Sequence, residues 1–247
     1  MPSGTERPGS DGMKSLLVPL FDDGALNHRV DAADALARGL DAHIMFAEPP
    51  GSSRSPPQTG AASDVAPLSD TDAAALARLT TLSDLVIVPS VWRPSRPTGP
   101  STADIITHCF APLLAMPSSA RIDRLPETAI IAWSDTSPTT ALALKAAIPL
   151  LAHAAGVKIV SVGGVRDDDG AINPVDYLRW HGIAADFAVL PRSGRVSDTL
   201  HDAAREIDAE LIVMGAYGRG RFLEDGFGGI TRRMLEITET PLLLHPS

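Results

Sequence analysis

Short runs of consecutive aliphatic residues alternate along the chain with longer stretches in which apolar positions recur every three or four residues. "SLLVPL" (15–20) is one such run, and behind it Leu26, Val30, Ala33, Ala37 and Leu40 keep helical spacing, with Gly39 near the stop. "AIIAWS" (129–134) opens the same succession again: Ser137 reads as a cap, Pro138 as the first helical residue and Gly156 as the end. A second run follows each helix, "AHIMFAE" (42–48) and "VKIVSVG" (157–163). Runs that are apolar at nearly every position suit strands covered on both faces, as in parallel sheets.

The succession continues in parallel. "SDLVIVPS" (83–90) matches "AELIVMGA" (209–216), with Leu85 and Leu211 offset by 126, and "APLLAMP" (111–117) matches "TPLLLHP" (240–246), with Pro112 and Pro241 offset by 129. The chain therefore divides into a leader (1–12), a first unit (13–118) and a second unit (125–247). Between its first and fourth strands the first unit is 12 residues shorter, and "PPGSSRSPPQTGAASDVAPLSD" has loop composition where a helix is expected. The second unit has "NPVDYLRWHG" (173–182), with an Asn cap, Pro at the first helical position and a terminal Gly, and then the strand "ADFAVLP". Its next helix, "VSDTLHDAAREIDA", sets Val196, Leu200, Ala203, Ala204 and Ile207 on one face, and 69–82 is the counterpart. The fold class is α/β: two tandem doubly wound parallel-sheet domains, the first degenerate.

Composition narrows the partners. A formal net charge of -9 argues against nucleic acid and anionic membranes, both of which want a basic surface patch. A single cysteine, Cys109, excludes an internal disulfide framework and any cysteine-based zinc site, and points to the reducing cytoplasm. No apolar run approaches the roughly 20 residues that span a bilayer. The polar start "MPSGTERPGSDG" lacks the apolar region of a signal peptide and reads as a disordered leader.

Candidate chemistry concentrates in "VMGAYGRGRFLEDGFGGITRRMLEITETPLLLHP" (213–246), where a strand runs through a glycine-rich loop into a helix. In an open parallel sheet, ligands sit outside the carboxyl ends of the strands, where a following helix presents free N–H groups. Taken alone, the stretch suits either a phosphate or a bare glycine turn that lets the helix pack closely. Arg219, Arg221, Arg232 and Arg233 face Glu224 and Asp225, so a phosphate there needs Mg²⁺ to bridge the carboxylates.

The spacing Gly215, two residues, Gly218, nine residues, Gly228 resembles the ATP-binding motif of universal stress proteins, the UspA family, which reads G-x2-G-x9-G followed by Ser or Thr. "GAYGRGRFLEDGFGGITRRML" looks most like tandem-domain bacterial members, and the resemblance covers nearly the whole chain, strongly over 127–247 and weakly over 13–118. It implies two Usp-like domains of the adenine nucleotide alpha hydrolase-like fold. It further implies that Met214, Gly215, Tyr217 and Gly218 approach ribose and phosphates, and that Gly228, Gly229, Ile230 and Thr231 cap the phosphate chain. Ala132, Trp133 and Ser134, with Val162, would flank the adenine. The implied ligand is ATP, or AMP or ADP, with Mg²⁺. The implied role is stress-linked regulation or protection by binding, with an unidentified protein partner and no assured catalysis.

In the family the last strands of two domains pair edge to edge. Here "PLLAMP" and "PLLLHP" would do so within one chain, making an internal pseudo-dimer that a homodimer would extend. The sequence departs from the family's pattern twice: Gly229 stands where Ser or Thr follows the third glycine, and Ser134 stands where the first strand should end in Asp, with Asp135 adjacent. A slow ATP hydrolase or nucleotidyl-transfer relative, using Asp135, Glu224 or Asp225, is the alternative enzyme reading. An interaction module with an empty pocket is the third. In the first unit, "VWRPSRPTGPSTADIITHCF" has Pro94, Pro97 and Pro100 where glycines are expected; prolines offer no N–H, so this half should not bind nucleotide in the family's manner.

Other constellations read as structural. "DDDG" (167–170) lacks the remaining ligands of a calcium loop, and "FDDG" (21–24) reads as a turn and cap, with Asp22 and Asp23 at a strand's carboxyl end. The seven histidines are scattered; His201 and Asp202 fall on a helix's polar face and His153 near a helix C-terminus. Ser90, Ser134 and Ser161 lie outside any GxSxG elbow, and Cys109, beside Phe110, reads as buried packing.

Overall fold

The computed structural model describes residues 12–21, 23–52, 55–68, 73–91, 101–134, 137–164, 173–216 and 229–246. In its first half come β1 (Ser15–Pro19), α1 (Leu26–Leu40), β2 (His43–Glu48), β3 (Ser63–Pro67), α2 (Ala73–Thr80), β4 (Leu85–Pro89), α3 (Thr102–His108) and β5 (Leu113–Met116). The second half has β6 (Thr128–Ala132), α4 (Pro138–Leu151), β7 (Gly156–Val162), α5 (Pro174–Trp180) and β8 (Ala185–Leu190). It ends with α6 (Val196–Glu206), β9 (Leu211–Gly215), α7 (Gly229–Ile237) and β10 (Leu242–His245).

Among the described residues ten strands form one sheet, in the order β3-β2-β1-β4-β5-β10-β9-β6-β7-β8. Each set of five is parallel throughout and repeats one strand order, so the α/β doubly wound expectation holds in both halves. The sets meet where β5 pairs antiparallel with β10, in the register Ala115 with Leu242, Leu114 with Leu243 and Leu113 with Leu244. These are the segments 111–117 and 240–246 that the sequence set in parallel.

Because side chains alternate across a strand, the apolar runs divide into two cores. Leu16, Ile44, Leu85, Leu114, Ile131, Ile159, Val213 and Leu243 face one side, beneath α1, α4 and α5. Leu17, Val86, Leu113, Ile130, Val160, Ile212 and Leu244 face the other, beneath α2, α3, α6 and α7. The alternation passes through the β5–β10 seam without a break, so each core is continuous across both halves.

Local signals hold in part. Asn173 caps α5 by accepting from the Val175 N–H at 2.9 Å, and Ser101 and Asp104 form a reciprocal capping box at the start of α3. Gly39 lies near the stop of α1, as expected: the helix runs to Leu40 and is closed by Asp41 in the left-handed region at φ 52°, and a Cβ on Gly39 would come 2.8 Å from Leu125 Cγ. Two readings need correction. Gly156 opens β7, since α4 ends at Leu151. The stretch read as loop contains β3, which pairs with β2 from Ile44–Ser63 to Glu48–Pro67. Composition hides such an edge strand, because its ladder comes from a neighbour and Pro67 is tolerated at a sheet edge.

Leu243 is fully buried in the seam strand. Leu243→Ala should cost about 2–5 kcal/mol, seen as a lower urea midpoint with an unchanged m value. A loss under about 1 kcal/mol would argue that the seam is not part of a shared core.

Candidate functional site

In the second half the chain leaves β6 toward β7 and β8 on one side, then returns to β9 on the other, so a crevice opens where β6 and β9 lie side by side. Ala132 ends β6, Val162 ends β7, and Met214 and Gly215 end β9; their strands are adjacent and parallel, so these residues stand along one rim. Ala132, Val162 and Met214 pack with the core beneath α6 and α7, whereas Trp133 packs with the opposite core. Ser134 follows, half-buried, and its carbonyl accepts from the Ser137 N–H at 3.1 Å and the Thr140 hydroxyl at 3.0 Å. That double contact folds the end of β6 into the first turn of α4.

Thr139 and Thr140 were not singled out in the sequence, yet they shape the rim. A Cβ on Gly215 would lie 2.3 Å from Thr139 Oγ1, 2.7 Å from the Thr139 carbonyl carbon and 2.8 Å from the Thr140 nitrogen. Gly215 is thus glycine because the first turn of α4 leans on the end of β9, whether or not a phosphate comes near. The "SPTT" stretch carried the available signal: two hydroxyls directly behind a proline at the first helical position.

Across the rim, α7 starts with Gly229 and Ile230 exposed and Thr231 buried. No atom of the described residues lies within 4 Å of the place a Cβ on Gly229 would occupy. Among the described residues, Arg232 of α7 pairs with Glu236 at 3.0 Å one turn on, and Arg233 Nε stands 3.6 Å from Asp198 Oδ1 of α6. Helical i, i+4 spacing and the packing of α6 on α7 supply these partners. Asp135, Tyr217, Gly218 and Gly228 lie outside the described residues, as do Arg219, Arg221, Glu224, Asp225, the "DDDG" stretch and Pro94, Pro97 and Pro100.

The first half closes its corresponding strand end differently. Asp23, beyond β1, accepts from the Ala25 N–H through Oδ1 at 3.1 Å, which is the expected turn. Its Oδ2 meets Arg29 Nη1 at 2.5 Å, and Arg29 Nη2 donates to the Phe21 carbonyl at 3.0 Å. Arg29 is 1% exposed, and burial pushes its guanidinium below the usual value although Asp23 opposes the shift. Among the described residues its buried Nε has no hydrogen-bond partner. Periodicity could have revealed Arg29: it falls three residues after Leu26 and four before Ala33, on the apolar stripe, behind two aspartates.

Cys109 is buried, as expected, and burial raises its thiol pKa. Among the described residues no cluster of three metal-ligating side chains occurs, and no helix is long and apolar enough to cross a membrane.

No family model matches the sequence. A universal stress protein from Synechocystis is 37% identical over 57 residues, which is 23% of this chain and 36% of that protein, so the match spans about a third of the relative's length. A universal stress protein structure from Archaeoglobus fulgidus superimposes with a TM-score of 0.71 at 12% identity, over 94% of this chain and 96% of its own. A putative universal stress protein from Pseudomonas aeruginosa gives 0.62 at 14% identity, over 96% and 94%. These two likenesses extend along the whole molecule and concern its fold.

Two substitutions test the rim. Gly215→Ala should cost about 1–3 kcal/mol because its Cβ meets backbone, while Gly229→Ala should stay within about 0.5 kcal/mol, both by urea denaturation. Equal effects would mean that α4 does not lean on β9 as described. Asp23→Ala leaves the Arg29 guanidinium buried without its carboxylate and should cost about 3–5 kcal/mol by the same measurement; a near-neutral result would place Arg29 in solvent.

Proposed function

We propose that this chain is a nucleotide-binding universal stress protein; it shares the fold of a universal stress protein along nearly its full length and sequence with another over 57 residues. Its single adenine nucleotide site lies in the second of two tandem units, 13–118 and 125–247. The observation that carries the reading is the rim itself: β6 and β9 adjacent at the point where the strand order reverses, with the glycine-spaced segment 215–228 joining β9 to α7.

In this reading Ala132, Ser134 and Val162 receive the base, with Trp133 supporting the rim from the opposite core. Met214, Gly215, Tyr217 and Gly218 approach ribose and phosphates. The backbone N–H groups of Gly228, Gly229, Ile230 and Thr231 meet the phosphate chain, and Mg²⁺ sits between the phosphates and Asp135. Gly229 offers a backbone donor and no hydroxyl, so this copy binds more weakly than one with Ser at that place. The role is regulation or protection in the cytoplasm through binding to a protein partner. The first half takes no nucleotide, its strand end being filled by Arg29 and Asp23.

Calorimetric titration with ATP, ADP and AMP, with and without Mg²⁺, should give one site per chain. Gly229→Ser should tighten it by roughly 2–12-fold, which corresponds to one hydrogen bond of about 0.5–1.5 kcal/mol. Absence of saturable binding of all three nucleotides at millimolar concentration, in both parent and Gly229→Ser, would sink the proposal.

A further inference from the structure

An open cavity of 470 Å³ lies away from the nucleotide rim, where the segment between α2 and β4 and the approach to β5 face α4 and α5. Its volume falls within the roughly 300–1,000 Å³ of small-molecule sites. Its walls come from both halves of the chain. Phe110 stands on one side and Lys145, Pro149, Tyr177 and His181 on the other.

We propose that this cavity is a second ligand site, built for a small planar aromatic carboxylate. The body of the ligand is set by the walls. The Tyr177 and His181 rings lie 4.8 Å apart at 56°, presenting a face and an edge to a flat ring, and Phe110 opposes them. Phe110 is 73% exposed, yet its backbone is held: its N–H donates to Thr80 Oγ1 at 3.3 Å, and that hydroxyl donates to the Ala77 carbonyl at 2.7 Å. Leu82, between two lining residues, is 89% exposed. Large apolar side chains held in solvent beside a cavity mark a surface that something covers.

The charge of the ligand is set by Lys145. It is exposed, and among the described residues its ammonium enters no ion pair or hydrogen bond, so it is free to meet a ligand. Asp84 also lines the cavity, but its Oδ2 accepts from the Lys14 and Ser15 N–H groups at 2.8 and 2.9 Å, which commits it to the start of β1. An ammonium beside the Tyr177 and His181 rings, with Phe110 across the cavity, selects a carboxylate carried on an aromatic frame, and the bound molecule would tie the two halves together.

The test uses 2-naphthoate as probe, titrated by calorimetry into the full chain without nucleotide. Expected are one saturable site, binding at least tenfold weaker for Lys145→Met and Phe110→Ser, retention in Lys145→Arg, and weaker binding of the neutral 2-naphthol. Both weakened positions are exposed, so thermal melts of the variants should coincide with that of the parent. No saturable binding, an unchanged affinity in Lys145→Met, or tighter binding of 2-naphthylmethylamine than of the acid would each overturn the proposal. The outcome does not depend on whether ATP binds.

Discussion

The molecule depends on one seam, the antiparallel pairing of β5 with β10. Every other neighbour in the sheet is parallel, and a parallel set of five strands, covered by helices on both faces, would otherwise end in an exposed edge made of Leu113 to Met116 or Leu242 to His245. Such a row of unpaired backbone groups flanked by leucine would be an aggregation hazard. Joining the two edges removes both, because the residues on each are already alternately buried. It also sets the two halves in opposite directions, so their strand carboxyl ends, where ligands collect in this class of sheet, open on opposite sides of the sheet's midline.

Those two ends are finished by different physics. In the second half a missing side chain matters most: Gly215 lets the first turn of α4 approach the end of β9 to a distance that any Cβ would forbid. The rim is therefore shaped before any ligand arrives, and the hydroxyls of Thr139 and Thr140 are set into it. In the first half a long side chain occupies the equivalent region. Arg29 brings a guanidinium into the core, and Asp23 and the Phe21 carbonyl make its burial tolerable. The turn from β1 into α1 is thus held by a buried ion pair, where the second half uses the close approach of backbone at Gly215.

Much of the architecture was readable in the chain. Aliphatic runs such as Leu85–Pro89 and Leu211–Gly215 became strands because apolar side chains at every position demand cover on both faces, and the helices followed stripes such as Leu200, Ala203 and Ala204. Asn173 capped its helix because a side-chain oxygen one residue ahead of a proline start has a free N–H within reach. What escaped was contact between distant parts. β3 owes its existence to the ladder offered by β2, and Gly39 is explained by Leu125, far along the chain.

By itself the sequence determined the element types, their twofold succession and the place of the glycine-spaced segment after β9, because these follow from side-chain periodicity and backbone freedom over a few residues. Only the tertiary structure decided that the two strand sets share one sheet, that the Gly215 backbone supports α4, that Arg29 pairs with Asp23 in the first half's core, and that a cavity opens between the halves beside Lys145. Each of those depends on which groups far apart in the chain come within a few ångströms, and that is settled by packing both faces of the sheet at once.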